Sequence, residues 1–232
     1  MLPTELVAAN PYLAFDAVGL AVVALGWLAA GPQRRMMLLA GTMHLLLLPG
    51  AWWLAGEVWT PVNVFGGRLS LEDAVYTFVF GAGAWCSATL AFREDYAANA
   101  NVTLFLRRSA LVAAPSIFAY GALLASGLGA VLPAFAIPTA VAGWLLVRHP
   151  DLRRLALCGG IGTALVYYAM LRLWFVVWPQ ARSWWTPDTL WSEDFIGVPL
   201  IEAGWALMMG AVHPTVMAFL CDVRRLAEPA RT

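Results

Sequence analysis

The sequence contains no lysine, and all fourteen of its basic residues are arginine. Without an ε-amino group no Schiff base to retinal or to pyridoxal phosphate can form, which excludes a retinal-binding helix bundle. Charge of either sign is scarce. Only 12% of residues are charged against 61% apolar, too little polar surface to coat a soluble globule, and the net charge is zero. No long basic or acidic run exists, so neither nucleic acid nor an acidic soluble partner is expected. The sequence also lacks an Asp-rich cluster for magnesium and diphosphate, a Gly-rich phosphate loop, GxSxG and HExxH. Ionisation of a prenyl diphosphate and nucleotide, flavin or hydrolase chemistry therefore have no support. Cys86, Cys158 and Cys221 are odd in number, far apart and in or beside apolar segments. Neither a disulfide nor a metal is expected of them, and no cofactor is implied.

What is present is apolar sequence in lengths that cross a bilayer as helix. Stretches near 20 residues fall at about 11–30, 36–55, 71–92, 104–125, 128–147, 154–178 and 195–220. The expected fold is an all-α integral membrane protein with seven transmembrane helices, multi-pass in the cell membrane. The first stretch has no basic start of the kind that precedes a cleaved signal, so it is expected to remain as the first helix. Arginines cluster at Arg34/Arg35, at Arg93 with Arg107/Arg108, at Arg148/Arg153/Arg154 and at Arg224/Arg225/Arg231, which are alternate loops. The positive-inside rule puts these in the cytoplasm with the C-terminus, and the N-terminus outside. The opposite loops, Glu57 to Arg68 and Arg182 to Asp194, carry Trp59, Trp184, Trp185 and Trp191, as an interfacial belt would.

The first and last three helices read as copies. Gly26-Trp27-Leu28 before Gln33-Arg34-Arg35 is echoed by Gly143-Trp144-Leu145 before Leu152-Arg153-Arg154. Leu69-Ser70-Leu71-Glu72-Asp73-Ala74 then matches Val198-Pro199-Leu200-Ile201-Glu202-Ala203, each opening the third helix of its unit. Two parallel three-helix repeats need one extra crossing between them, giving a 3+1+3 plan: residues 1–95, a linker helix in 96–127, and 128–232. Association into a homo-oligomer is left open by this plan.

A carboxyl group inside a membrane span is expensive and marks a functional site. Asp73 and Glu202 coincide after repeat alignment, and Glu72 is a surplus acid of one unit only. Asp16 lies in the same outer layer of the first helix. Glu202 is expected about seven residues into its helix, roughly 10 Å deep. Arg172, six residues before Trp178, falls at a similar level and is expected to meet Glu202 or Asp73. Each of these has a plainer reading: Glu72 snorkelling to water, Asp16 edging its helix, Arg172 with Glu202 as a structural ion pair. His44 and His213 are each isolated in the sequence, with a hydrogen-bonded structural role at least as well supported as proton relay. Glu94-Asp95 and Glu193-Asp194 read as solvated turns.

A carboxylic acid in apolar surroundings favours its neutral form and can serve as a general acid. Tyr76, Tyr168 and Trp205 belong to a set of aromatics, most of them packing residues, whose faces attract cations. Together they describe a site able to protonate an alkene or epoxide, guide a carbocation and remove a proton from a lipophilic isoprenoid. Tandem three-helix units with such acid motifs resemble the membrane-embedded lycopene cyclase domain family over residues 11–92 and 128–221. That resemblance implies redox-neutral cyclisation of the ends of a linear carotenoid, with Glu72, Asp73 and Glu202 as catalytic acids and bases behind Ser70 and Pro199. Ser70 stands where the family has its first proline, and Ile201 where it has the first acid of the second motif. A looser resemblance links the chain to small seven-helix cyclases that close epoxidised meroterpenoids or indole terpenoids. Arg172, Asp16, Tyr76, Trp205 and Tyr168 are then expected around the substrate. A SWEET-like small-solute transporter shares the 3+1+3 plan, and Pro32-Gln33 and Pro150-Asp151 resemble its Pro-Gln dipeptides. Those dipeptides lie at loop edges here, and the amide and hydroxyl groups that sugars require are absent from the acid layer.

Overall fold

The computed structural model describes residues 10–55, 57–62, 64, 67–90, 96–98, 101–185 and 194–225. The described chain is a bundle of α-helices: α1 (Pro11–Ala29), α2 (Arg34–His44), α3 (Leu48–Leu54), α4 (Leu71–Leu90), α5 (Val102–Ala125), α6 (Val131–Arg148), α7 (Arg153–Val177) and α8 (Leu200–Leu220). Five helical segments among the described residues, α1, α5, α6, Pro150–Val177 and α8, are long and apolar enough to cross a membrane. This is the signature of a multi-pass membrane protein. Large apolar side chains face outward, among them Ile117, Val147, Leu157 and Leu173, as they do where the solvent is lipid. Arg93, Glu94, Asp95, Trp191, Glu193 and Arg231 lie outside the described residues.

Two expected helices differ from the sequence reading. The stretch 36–55 is not one helix, because a 3₁₀ turn at Leu45–Leu47 separates α2 from α3. Pro49, near the start of α3, has no N–H to continue the α-helical ladder and fits only a first turn. The last helix begins at Leu200 and not near 195. A short hairpin of β2 (Asp194–Phe195) and β3 (Val198–Pro199) occupies the preceding residues, turning through Ile196 and Gly197 at φ of 50° and 79°. Positive φ at both central residues is the twist that matches a two-residue hairpin, and it is unusual for a β-branched residue. Glu202 is therefore the third residue of α8, as Asp73 is the third of α4.

Arginine-bearing ends of the helices gather together. Two-residue strands β1 (Tyr96–Ala97) and β4 (Arg224–Arg225) pair there, and Gln33 Nε2 donates to the Tyr96 carbonyl at 2.9 Å. Arg108 binds Asp222 at 3.0 Å and covers the Phe219 ring. At the end of α1, Arg34 Nε donates to the Trp27 carbonyl at 2.8 Å, and at the end of α6, Arg153 Nε donates to the Leu146 carbonyl at 3.4 Å. In both cases the arginine reaches seven residues back to a carbonyl in the last turn of the helix, and the Trp27 carbonyl also accepts from Ala30 N at 3.4 Å. By this correspondence Trp27 matches Leu146, so the Gly-Trp-Leu echo is two residues out of register while the Arg-Arg echo is in register.

α4 packs along α1, α2 and α7, and α8 along α6 and α7, with α4 and α8 also meeting each other. Close approach is made by small residues. A Cβ on Gly81 of α4 would meet the Ala40 carbonyl and His44 of α2; one on Gly210 of α8 would meet the Gly159 carbonyl and Thr163 of α7. Gly81 and Gly210 each stand eight residues past Asp73 and Glu202, and His44 and Thr163 each stand ten past Arg34 and Arg153. Where lipid removes the hydrophobic drive between helices, such small-residue contacts supply the dispersion that holds them. None of the residues of α5 is buried, which places it at the periphery.

Candidate functional site

The site is built at the helix ends opposite the cluster of Arg34, Arg108 and Arg153. Asp73 sits in the first turn of α4 because Ser70 precedes that helix, and the two form a reciprocal cap. Asp73 Oδ2 accepts from Ser70 N at 2.7 Å and from Ser70 Oγ at 2.9 Å. Its other oxygen accepts from the Tyr12 hydroxyl at 2.9 Å. Tyr12 and Asp16 lie one helical turn apart on α1, so both reach the same level of α4.

Glu72 does not snorkel to water. It is buried, with Oε1 accepting from Val64 N at 2.7 Å and Oε2 without a partner among the described residues. Asp16 does not edge its helix either. Its residue is 2% exposed, and neither carboxyl oxygen has a hydrogen-bond partner among the described residues. Asp16 lies within electrostatic reach of Glu72 and Asp73, so three carboxyl groups share one region.

Glu202 has different partners. Pro199 precedes α8 and has no N–H, so no capping box can form there. The carboxyl group instead turns inward, where Oε1 accepts from Trp185 Nε1 at 2.9 Å and Oε2 from the Tyr167 hydroxyl at 2.7 Å. Tyr167 also bonds the Tyr76 hydroxyl at 2.9 Å. Tyr76 is within electrostatic reach of Glu202, Asp16 and Asp73 and so joins the two groups of acids.

An apolar groove of about 270 Å³ leads away from this layer between α1, α4 and α7. Its walls include Phe15, Tyr76, Phe80 and Tyr167 near the acids, then Gly83, Cys86, Ser87 and Leu90 farther along α4. From Tyr76 to Leu90 the helix rises on the order of 20 Å. Val22 and Val166 on its rim are exposed, so the groove opens sideways, toward lipid. Gly83 has open space where a Cβ would point.

Three of the tryptophans expected at the interface, Trp59, Trp184 and Trp185, pack with Trp174 into a cap over the acid layer. Trp184 and Trp185 are buried, Trp59 meets Tyr12 at 5.3 Å and Trp185 at 5.8 Å between ring centres, and Trp174 meets Trp184 at 5.4 Å. Thr60 N donates to the Trp184 carbonyl at 2.7 Å, stitching the two loops. Trp174 Nε1 donates to the Pro11 carbonyl, which fixes the start of α1 beneath them.

The structure thus brings Asp16, Glu72, Asp73, Tyr76 and Glu202 together and sets three other expected residues apart. Arg172 is exposed, with its guanidinium over Gly197 of the hairpin, and is paired with neither Glu202 nor Asp73. Helical rise fixes its depth, but its direction around α7 points away from the acids. Tyr168 donates to the Ile196 carbonyl at 2.8 Å and steadies that same hairpin. Trp205 stacks edge-on against Phe135 of α6 at 5.6 Å, away from the groove. His44 and His213 are not isolated, since their Nδ1 atoms lie 3.2 Å apart. A carbonyl only accepts, so His213 Nε2, 3.0 Å from the Ala40 carbonyl, carries the proton, and His44 must donate from Nδ1. The pair locks α2 to α8. Tyr12, Tyr167 and Trp185 bond these acids, which the acid pattern did not reveal. The one sequence signal for Tyr12 is its place four residues before Asp16.

No family model, no curated protein and no solved structure matches the chain.

Proposed function

We propose that the protein is a membrane terpenoid cyclase, carrying out protonation, carbocation rearrangement and deprotonation on a lipophilic isoprenoid. The single observation that carries this reading is the groove: a lipid-open, apolar slot roughly the length of an extended polyprenyl segment, ending at Tyr76 and Tyr167, the second of which bonds the half-buried Glu202 carboxyl group. Its helices run as two parallel three-helix units joined by α5. The matched arginine caps and the matched glycine contacts of α4 on α2 and of α8 on α7 support that plan. By the positive-inside rule the arginine end faces the cytoplasm of a cell membrane and the acid end the opposite side.

The chemistry follows from the arrangement. Among the described residues no arginine bonds to any of the four acids, so whichever of them is ionised meets no built-in positive charge. A carbocation in the adjoining groove would supply that charge, with Phe15, Tyr76, Phe80 and Tyr167 offering ring faces to it. Asp16 and Glu72, each with a carboxyl oxygen lacking a partner among the described residues, form the side that donates a proton to an alkene or epoxide with Asp73 beside them, and Glu202, which accepts two hydrogen bonds, the basic side that receives one. The substrate is a linear carotenoid such as lycopene or an epoxidised, prenylated aromatic compound. A positioned acid or base contributes about 10²–10⁴-fold to rate. Glu202→Gln and Asp73→Asn are expected to lose product formation on that scale while both proteins still accumulate in the membrane. Unchanged cyclic product from both variants overturns the acid–base assignment. Flux of an unaltered solute into proteoliposomes would assign the chain to the transporter class instead.

A further inference from the structure

We infer that Tyr167, with Tyr76, is the proton conduit between the groove and Glu202, so that this acid acts on substrate through hydroxyl groups and not by direct contact. The inference rests on the cyclase reading. Tyr76 and Tyr167 line the groove, whereas Glu202 does not. Tyr167 has one hydroxyl proton, and it points to Glu202 Oε2 at 2.7 Å. The 2.9 Å contact between the two hydroxyls is therefore donated by Tyr76, giving an oriented chain from Tyr76 to Tyr167 to Glu202. Trp185 Nε1 holds the other carboxyl oxygen, which keeps Oε2 facing the chain. Phe15 packs edge-on against Tyr167 at 6.2 Å between ring centres and Phe80 does so at 5.5 Å, so the phenol ring is clamped in place.

In the final step a C–H bond beside the carbocation breaks and its electron pair forms the new C=C bond. The proton passes to the tyrosine oxygen nearest the substrate, and each hydroxyl hands its own proton onward until Glu202 is protonated. Both tyrosines end the step neutral and nothing is oxidised or reduced. A chain of this kind also separates base from substrate by two phenol rings, so a cation cannot be trapped as an ester of Glu202.

The test uses the full-length protein in lipid nanodiscs with two probes, lycopene and a farnesylated phenol bearing a terminal epoxide. Tyr167→Phe keeps the ring and removes the relay hydroxyl. With the probe that is turned over, kcat is expected to fall on the order of 10²-fold with KM within about threefold, the pattern of a lost transition-state interaction. Tyr167→Phe/Glu202→Gln is expected to be no slower than Glu202→Gln alone, because one broken chain cannot be broken twice. Tyr167→Phe with wild-type kcat beside an inactive Glu202→Gln overturns the relay and leaves the cyclase reading standing, as do additive losses in the double variant. Absence of cyclic product from wild type with either probe overturns the cyclase reading and the relay together.

Discussion

Asp73 and Glu202 occupy the same place in their helices, the third residue of α4 and of α8, yet they are held in opposite ways. Asp73 is drawn back to its own helix start by Ser70 and tied to Tyr12, while Glu202, behind a proline that cannot be capped, faces Trp185 and Tyr167. The residue just before each helix, Ser70 or Pro199, three positions ahead of the acid, decides the outcome: a capping hydroxyl and N–H recruit the carboxylate locally, and their absence releases it to the bundle interior. On the proposed reading, the acid side of the layer is Asp16 and Glu72 with Asp73 beside them, and the relay side is Glu202. Two matching positions then do unlike work, and the comparison can be broken at either one.

The largest effect is expected at Glu202. Glu202→Gln keeps the volume, its amide oxygen can still accept from Trp185 Nε1, and its NH2 donates to a Tyr167 hydroxyl that turns to bond Tyr76, so thermal stability should change little while turnover falls about 10²–10⁴-fold. Asp73→Asn should lose activity as well, but with a destabilisation of about 1 kcal/mol added, because the cap is weakened. Thermal unfolding of both variants beside product assays separates the two roles. Next comes Gly83→Leu, whose side chain enters open space in the groove. It should leave folding intact and reduce conversion of a long isoprenoid at least about tenfold, as a blocked hydrophobic subsite does. Equal conversion would show that substrate does not lie along α4. The matched glycines give a third comparison. Gly81→Val and Gly210→Val should each destabilise by about 3 kcal/mol, the upper range for overpacking, since in both a backbone carbonyl stands in the way. A large loss at one position with tolerance at the other would argue that the two units do not pack alike. The smallest effect belongs to Ser70→Ala, about 1 kcal/mol of stability from the lost cap, with turnover near wild type.

Much of this layer was legible in the sequence because carboxyl groups in apolar segments are conspicuous. Asp16, Glu72, Asp73 and Glu202 each stand out against hydrocarbon-compatible neighbours, and all four converge at one end of the bundle. Tyr12, Tyr167 and Trp185 were hidden for the converse reason: an aromatic residue in an apolar helix is ordinary, and only three-dimensional proximity shows which hydroxyl or indole N–H finds an acid. Arg172 shows the limit of depth arithmetic, since rise along α7 sets its level but not its azimuth. The hairpin before α8 was concealed by Ile196, a residue whose preferences oppose the positive φ it adopts. It persists because Tyr168 holds the Ile196 carbonyl from α7. The break between α2 and α3 was readable from Pro49 but is masked by the unbroken apolar run around it. Each of the seven apolar stretches contains helix among its described residues, but only five helical segments are long and apolar enough to cross a membrane.

The central claim, that this layer performs proton chemistry on an isoprenoid held in the α1–α4–α7 groove, is tested most directly by lipid profiling. Wild type and Glu202→Gln would be expressed in cells that accumulate lycopene and in cells that accumulate an epoxidised prenylated phenol. The account predicts a new lipid with the mass of its precursor but a different retention, formed by wild type in one of the two hosts and absent with Glu202→Gln. The same isomer from both proteins, or none from wild type in either host, would contradict it.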